Sequence, residues 1–576
     1  MSQSATNTYD IEVLVVGAGP TGMVMASELK RHGMQCRIID RLPQPSHTSK
    51  ALSIHARTLE LFEKMGLTNS FLAEGVKVKA MNIYGDKHHR IAQINMQHVP
   101  SRYPFMLCLP QWETENILNE HLTRQEIKVE RAVELTELQQ TGNGVDVVLE
   151  HANGQREQLR TRWLIGCDGP HSTVRHLLGF DFKGSTFEQS FALADVHMGS
   201  YLPVHQASFF WQEGDFIGCL PIPHEQYRII IGYKPGTEPK GDVTLEEVQR
   251  ILEKCGMTDV RVHDAVWSSR FQVNQRKVHH YRQGSVLMAG DACHIHSPIA
   301  GQGMNTGIQD AFNLAWKLAL VSQEKAQPHL LDSYEAERER FGRLLLRGTN
   351  FFSRLALSQG ALPSRLRDSV APLVISSKIA SKRIATLISQ VAASYRRSPI
   401  VSEYQEGNLF GALRERQRMP IGHHAGERAP DMVVYLGKTP MRLHMLCLGT
   451  RHVLFFFAHQ HDPERSLQEW EEMNAILKRR HSDLVDAFLI LPRPPESSDS
   501  ERTHIIYDEN AAIYKEYGIT DDGLVLVRPD GYIGFLSRPA SLGRLGAYLD
   551  SIFVVSPIPT PITVTPGRAE HKEVSQ

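Results

Sequence analysis

The chain has 576 residues, long enough for two or three domains that each bury a core. Its 63 basic and 64 acidic residues leave a formal net charge of -1 with no basic block, which argues against a nucleic-acid partner. The polar opening MSQSATNTYD lacks an apolar signal core, and no stretch approaches about 18 consecutive apolar residues. The expectation is therefore a soluble, cytoplasmic protein with no membrane partner. Seven scattered cysteines, with no C-x-x-C, argue against a disulfide framework or a zinc site. None of the 28 histidines has metal-ligand spacing, so no metal is expected.

Ile11 to Asp40 reads as a βαβ unit: an apolar run, a glycine-rich turn, an amphipathic stretch and a second apolar run ending in an acid. Gly17, Gly19 and Gly22 have G-x-G-x-x-G spacing between the strand Val13 to Val16 and a helix starting near Thr21. The first glycine permits the tight turn, the second lets backbone approach a pyrophosphate, and the third lets helix pack on strand. Asp40 falls where an acid would accept hydrogen bonds from a ribose. This is a dinucleotide site, open at this point between NAD and FAD.

A polar loop then leads into a helix from about His55, with Leu59, Phe62 and Leu67 at core spacing. On spacing alone Arg57 is equally a phosphate ligand or a solvated helix arginine. Ala80 to Phe105 is short and strand-like, an excursion from the nucleotide domain. Gln111, at the head of the next helix, is placed either to face a ligand or to cap that helix. A hairpin turning at Asn153-Gly154 ends in Cys167-Asp168-Gly169, with Ser172 as an N-cap. That Asp-Gly is a second phosphate-facing turn or a simple one.

Phe182 to about Arg282 is strand-rich, broken by the helical segment TLEEVQRILEKCG. Antiparallel strands rich in aromatics suit a pocket wall, with Trp211, Phe216 and Tyr227 nearest the pocket; plain core packing is the competing explanation for each. The strand Val286 to Ala289 ends at Gly290-Asp291, and a helix begins around Gly303 to Asn305. Met304, Ile308, Ala311 and Ala315 give it a buried stripe. Its dipole and N-terminal N–H groups would stabilise negative charge on a ring system lying against them.

GAGPTG at 17 to 22, CDGPHSTVR at 167 to 175 and GDACHIHSPIAGQGMN at 290 to 305 resemble, in this order and spacing, the three fingerprints of the single-component flavoprotein aromatic hydroxylases. That family includes para-hydroxybenzoate and phenol hydroxylases, and the likeness covers about the first 350 residues. RLPQPSHTSKALSIHARTLELFEKMG and MNTGIQDAFNLAWK are most similar to its pentachlorophenol 4-monooxygenase group. The resemblance implies an α/β fold: a Rossmann-type FAD-binding domain over 1–80, 106–181 and 282–360, interleaved with a mostly antiparallel substrate-binding sheet over 81–105 and 182–281.

It also implies FAD as cofactor, NADPH or NADH as transient electron donor, and an aromatic substrate and O2 as partners. Gly17, Gly19, Gly22 and Asp40 would hold the ADP half, Pro20, Thr21 and Arg41 would also bind the cofactor, and Arg57 and Gln111 would contact the pyrophosphate and ribitol. Asp168 would serve flavin and pyridine nucleotide, and Asp291 a ribitol hydroxyl. Pro298 would lie by the reactive ring edge and the substrate, with backbone from Gly301, Gly303, Met304 and Asn305 facing N1 and O2. The implied reaction is hydroxylation of a phenolic ring through a flavin C4a-hydroperoxide, with Pro298, His55 and Tyr227 as catalytic candidates. Phenol hydroxylase has a substrate-deprotonating acid where this chain has Leu52; Ser53 and His55 are the nearest polar groups.

The remaining third reads as a helical connector over 361–424, a small α/β domain over 425–555 and a disordered tail over 556–576. The domain resembles the thioredoxin-like C-terminal domain of phenol hydroxylases. Without C-x-x-C it is expected to support packing or a homodimer rather than redox exchange. Three rivals stand beside this reading. A flavin-dependent halogenase would show paired tryptophans where this chain has FIGCLPIP. The others are a hydroxylase of a larger polyketide or an antibiotic such as a rifamycin, and a non-catalytic flavin- or ligand-binding module.

Overall fold

The strand Ile11–Val16 lies inside the first of three eight-stranded sheets in the computed structural model. The structure describes residues 9–45, 51–85, 89–142, 144–199, 202–212, 215–295, 301–340, 342, 378–406, 422–436, 439–492, 504–508 and 510–554. Pro298, residues 361–377 and 407–421 of the expected connector, and the expected tail lie outside these. Ile11–Val16 pairs in parallel with Arg156–Gly166 on one side and Cys36–Asp40 on the other. Val286–Met288 and Val129–Arg131 extend the parallel order outward. Val13, Leu14 and Val15 are fully buried, as a continuous apolar run requires when both sheet faces are covered. The helices Pro20–Arg31, Gln111–Arg124 and Gly303–Ser322 pack side by side.

The second sheet runs from His294–Ile295 through two 16-residue strands, Val262–Lys277 and Lys183–Met198, to Gln226–Gly232, Asp215–Ile222 and Gln206–Gln212. Ala80–Tyr84 and Arg90–Asn95 complete it, the former joining in parallel. Period-2 alternation separates its faces. Ile217, Cys219, Tyr227, Ile229 and Ile231 pack with the helix Leu245–Lys254, whereas Ala207, Leu220 and Ile222 join the core of the nucleotide domain. This sheet is thus a wall with one face turned toward the nucleotide-binding domain.

The third sheet centres on His452–Phe457, flanked in parallel by Val485–Leu491 and antiparallel by Gly523–Val527. Trp316, near the end of the helix Gly303–Ser322, is buried in this sheet's core with Trp470, Leu545 and Phe553. One helix therefore belongs to two cores. Among the described residues no helix is long and apolar enough to cross a membrane.

Where the C-terminal sheet meets the nucleotide domain, charges are buried together. Arg528 makes a fork to Glu337 at 2.6 and 2.9 Å and a bond to Asp530 at 3.0 Å. Lys317 reaches Glu337 at 2.8 Å, and Asn313 bonds both Glu337 and Asp530, at 2.7 and 3.2 Å. Arg528, Lys317 and Glu337 have fully buried side chains. Such a set adds little net stability over apolar packing, but removing one partner strands the rest. Arg528→Met is expected to lower stability by about 3–5 kcal/mol in urea unfolding. Arg156→Met, which breaks an exposed pair with Glu137, is expected to cost within about 0.5 kcal/mol.

Candidate functional site

The glycine-rich turn is built by close approach. Gly17 has φ +100°, and a Cβ there would lie 2.5 Å from the Cys167 carbonyl oxygen. A Cβ on Gly22 would lie 1.8 Å from the Gly17 carbonyl oxygen, so the helix packs onto the turn only with glycine at that position. A Cβ on Gly19 would meet nothing within 4 Å, leaving its backbone open toward a ligand. Pro20 occupies the first turn of the helix, where its missing N–H costs no intrahelical bond. Thr21 points the other way: its Oγ1 would be 2.7 Å from a Cβ on Gly290 and 2.2 Å from one on Gly307. It joins the turn to the second glycine motif and to the helix Gly303–Ser322.

A cleft of about 220 Å³ brings together Gly17, Gly19, Asp40, Arg41, Gln111, Arg131 and Asp168. Asp40 accepts from the backbone N–H of Ala18 at 2.7 Å and of Leu42 at 2.8 Å, with the Arg131 guanidinium 3.8 Å away. Gln111 accepts from the Ala51 N–H at 3.1 Å and donates to Glu115 at 2.8 Å. Its amide braces the loop before residue 52 rather than capping its own helix. Asp168 accepts from the Val174 N–H at 3.0 Å. Burial pushes its carboxyl above the ordinary value, against the hydrogen bonds from Ser172 and Val174 that favour the anion. Arg131 was not singled out in the sequence. Its Nη2 is buried with no hydrogen-bond partner among the described residues, and the side chain lines the cleft.

At the other end, the helix Gly303–Ser322 starts without a side-chain cap, and Asn305 in its first turn is fully buried. Asn305 Oδ1 accepts from the His55 N–H at 2.9 Å and the Thr58 hydroxyl at 2.7 Å. Its Nδ2 donates to the carbonyls of Ser53 at 2.7 Å and Gly301 at 2.8 Å. Gly301, at φ +61°, leaves no room for a Cβ, which would sit 2.7 Å from Ser53 Cβ. His55 is fully buried at the head of the helix Ala56–Lys64, and its side chain makes no capping bond. Asp291 lies in a single 3-10 turn, 4.0 Å from where a Cβ on Gly303 would be, and Met304 is partly buried beside the nucleotide-domain core. Deeper in the helix, Asp310 accepts from Arg338 at 2.5 Å, from the Gly290 N–H at 2.9 Å, and bonds His294 at 2.7 Å.

Two expected roles need correction. Tyr227 is on the far face of the substrate sheet: it pairs across strands with Val196 and Pro221, packs in the cluster under Leu245–Lys254, and donates to the Leu202 carbonyl at 3.2 Å. Strand parity, not aromatic character, decides the face. Arg57 turns away from the cleft. Buried, it bonds Glu60 at 3.0 Å, donates to the Asp530 carbonyl and lies 4.9 Å over the Tyr532 ring. Trp211 and Phe216 are on the face turned to the nucleotide domain, 5.5 Å apart.

On that face the sequence reading missed a buried pair. Arg228 makes a fork to Asp195 with both bonds 2.7 Å, donates to the Ala51 carbonyl at 3.2 Å and lies 5.2 Å over Trp267. The available signal was a lone arginine inside the apolar run QYRIIIG.

Comparison with known proteins places these motifs in one lineage. A family described as an FAD binding domain matches residues 10–349, and one described as a phenol hydroxylase C-terminal dimerisation domain matches 457–557. Pentachlorophenol 4-monooxygenase from Sphingobium chlorophenolicum is 32% identical over 533 residues, 91% of this chain and 93% of that one. A 6-methylpretetramide 4-monooxygenase from Streptomyces rimosus is 31% identical over 558 residues, 94% of each chain. The solved structure of an anhydrotetracycline hydroxylase from Streptomyces rimosus superposes with a TM-score of 0.72 at 29% identity, covering 94% of this chain and 99% of that one.

The residues present fit FAD: an open glycine turn, an acid ending the second strand, an arginine Nη2 with no hydrogen-bond partner among the described residues, and an uncapped helix start. Gly17→Ala is expected to yield protein purified with little or no flavin, read from the ratio of absorbance near 450 nm to that at 280 nm.

A pH prediction follows from Asp310. Burial would raise its carboxyl, but Arg338 and His294 outweigh that and hold it at about 2. Because this is below the unfolded value of about 3.9, the group contributes stability above about pH 4 that is lost as pH falls toward 2. In Asp310→Asn the urea midpoint is expected to fall less steeply over that interval.

Proposed function

The chain belongs to the single-component FAD-dependent aromatic hydroxylases, and on that premise we propose that it adds oxygen to an electron-rich phenolic ring bound between the helix Gly303–Ser322 and the second sheet. The observation that carries this reading is that two separated devices, the glycine turn with its cleft and the Asn305-clasped helix start, are joined through Thr21, which packs against Gly290 and Gly307. When bound, FAD supplies the redox and oxygen-transfer chemistry, with NAD(P)H as reductant and O2 as oxidant.

The chain's own residues bind and orient. Gly17 to Gly22 and the following helix N-terminus would take the pyrophosphate, Asp40 and Arg131 the adenosine side, and Asp291 a ribitol hydroxyl. Backbone N–H groups at Gly303 to Asn305 would face the N1 and O2 edge, where negative charge gathers on reduction. Trp211, Phe216 and the Arg228–Asp195 pair would form the opposite wall and exclude water.

Leu52 is buried and apolar, so the position at which phenol hydroxylase carries an acid offers no base here. We read the substrate as entering already ionised, which favours phenols of low pKa.

The relatives divide between a single-ring chlorinated phenol and polycyclic aromatics, so a polycyclic phenol is a second reading, favoured by the 6-methylpretetramide and anhydrotetracycline enzymes. The C-terminal domain is read as a thioredoxin-like scaffold. Cys447 is its one cysteine and is buried, and the dimerisation-domain match supports a homodimer. Size-exclusion chromatography with light scattering should then give twice the monomer mass.

The functional test is oxidation of NADH and of NADPH by flavin-loaded protein with single-ring and polycyclic phenols graded by pKa, quantifying peroxide and hydroxylated product together. Acceleration by low-pKa phenols, with product exceeding peroxide, is the expected result. Oxidation that no phenol accelerates, or that ends wholly as peroxide, would overturn the hydroxylase reading.

A further inference from the structure

The helix Lys378–Ile388 ends at the start of the helix Gly303–Ser322, where the Ile388 carbonyl accepts from Gln302, and two residues later Gln390 takes a left-handed backbone conformation, φ 60°. A left-handed residue just past a helix end is normally glycine, because any side chain there costs backbone energy. Gln390 is also buried, so a hydrated surface amide does not explain it. Its side-chain contacts do. Nε2 donates to Gln302 Oε1 and, at 3.3 Å, to the Thr306 hydroxyl, while Oε1 accepts from Gln309 Nε2. Gln302 in turn donates to the Ile388 carbonyl at 3.0 Å, and Gln309 to the Asn305 carbonyl at 3.2 Å. One amide therefore grips the first two turns of the helix, beside the Asn305 clasp. The neighbouring Ser389 carbonyl accepts from the Arg57 N–H at 3.2 Å, fixing the helix that carries His55.

We propose that Gln390 is a positioning residue for the flavin, locking the start of the helix Gly303–Ser322 in the register its N–H groups need to face the cofactor's N1 and O2 edge. This rests on the placement of FAD proposed above. A locked helix start stabilises the anionic reduced ring more than the neutral oxidised one, so losing the lock lowers the reduction potential and weakens FAD binding. The backbone strain separates the two roles of the residue. Glycine relieves the strain but removes the amide and leaves Gln302, Thr306 and Gln309 without it, so a purely structural role predicts lower stability with unchanged flavin properties.

The experiment uses the full-length holoprotein and two variants, Gln390→Gly and Gln390→Met. It compares the FAD dissociation constant by fluorescence quenching, the midpoint potential by dye equilibration, and thermal unfolding of the flavin-free forms. The expected result is FAD binding weakened roughly tenfold in both variants and a more negative potential in both, with losses of the same size although their unfolding temperatures differ, since only Gln390→Gly relieves the strain. Flavin affinity and potential unchanged in both would overturn the proposal. So would an affinity loss found only in whichever variant unfolds at the lower temperature. Wild-type protein that binds no FAD would instead defeat the functional reading itself.

Discussion

In the proposed placement of FAD the first turn of one helix meets the ligand and is not fastened by a cap of its own, so other elements must hold that helix. The helix Gly303–Ser322 begins without a side-chain cap, and it is held from its sides. Asn305 ties it to Ser53, His55 and Thr58, Thr21 wedges it against the glycine turn, and Asp310 ties it to Arg338 and His294. Its far end enters the C-terminal core through Trp316. The nucleotide domain, the connector and the C-terminal sheet thus all fix one element. The C-terminal sheet, whose central strand begins 130 residues after this helix ends, takes part in holding the helix in place.

The charged interface shows what this arrangement costs. Glu337 faces Arg528 and Lys317, and although burial alone would raise its carboxyl, those cations hold it below the ordinary carboxylate range. Burial brings Lys317 down to about 8. Taking such groups out of water costs free energy that apolar packing would not. The geometry gives specificity in exchange: Arg528, Asp530, Asn313 and Lys317 satisfy one another in one relative placement of helix and sheet.

Much of the nucleotide site was legible because its signals are local. The spacing of Gly17, Gly19 and Gly22, the acid at Asp40 and the Asp-Gly turns each sit within a short stretch whose backbone geometry dictates the residue. The second sheet was harder, since Tyr227 and Arg228 are adjacent and only the register with Val196 and Asp195 decides which faces the nucleotide domain. Arg57 was misread for another reason. Its partners, Asp530 and Tyr532, lie more than 470 residues on, and no local pattern announces them. Gln390 likewise carries no motif, because its meaning comes from a backbone angle and three distant partners.

The central claim is that the cleft reads the adenosine half of FAD while the clasped helix reads the ring. Titration of flavin-free protein with FAD and with FMN, following flavin fluorescence, addresses it most directly. Two charge-assisted contacts from the Asp40 and Arg131 side, each contributing about 1.5 kcal/mol or more, predict one equivalent of FAD bound roughly a hundredfold more tightly than FMN. FMN binding as tightly as FAD would contradict the account, because the cleft would then contribute nothing.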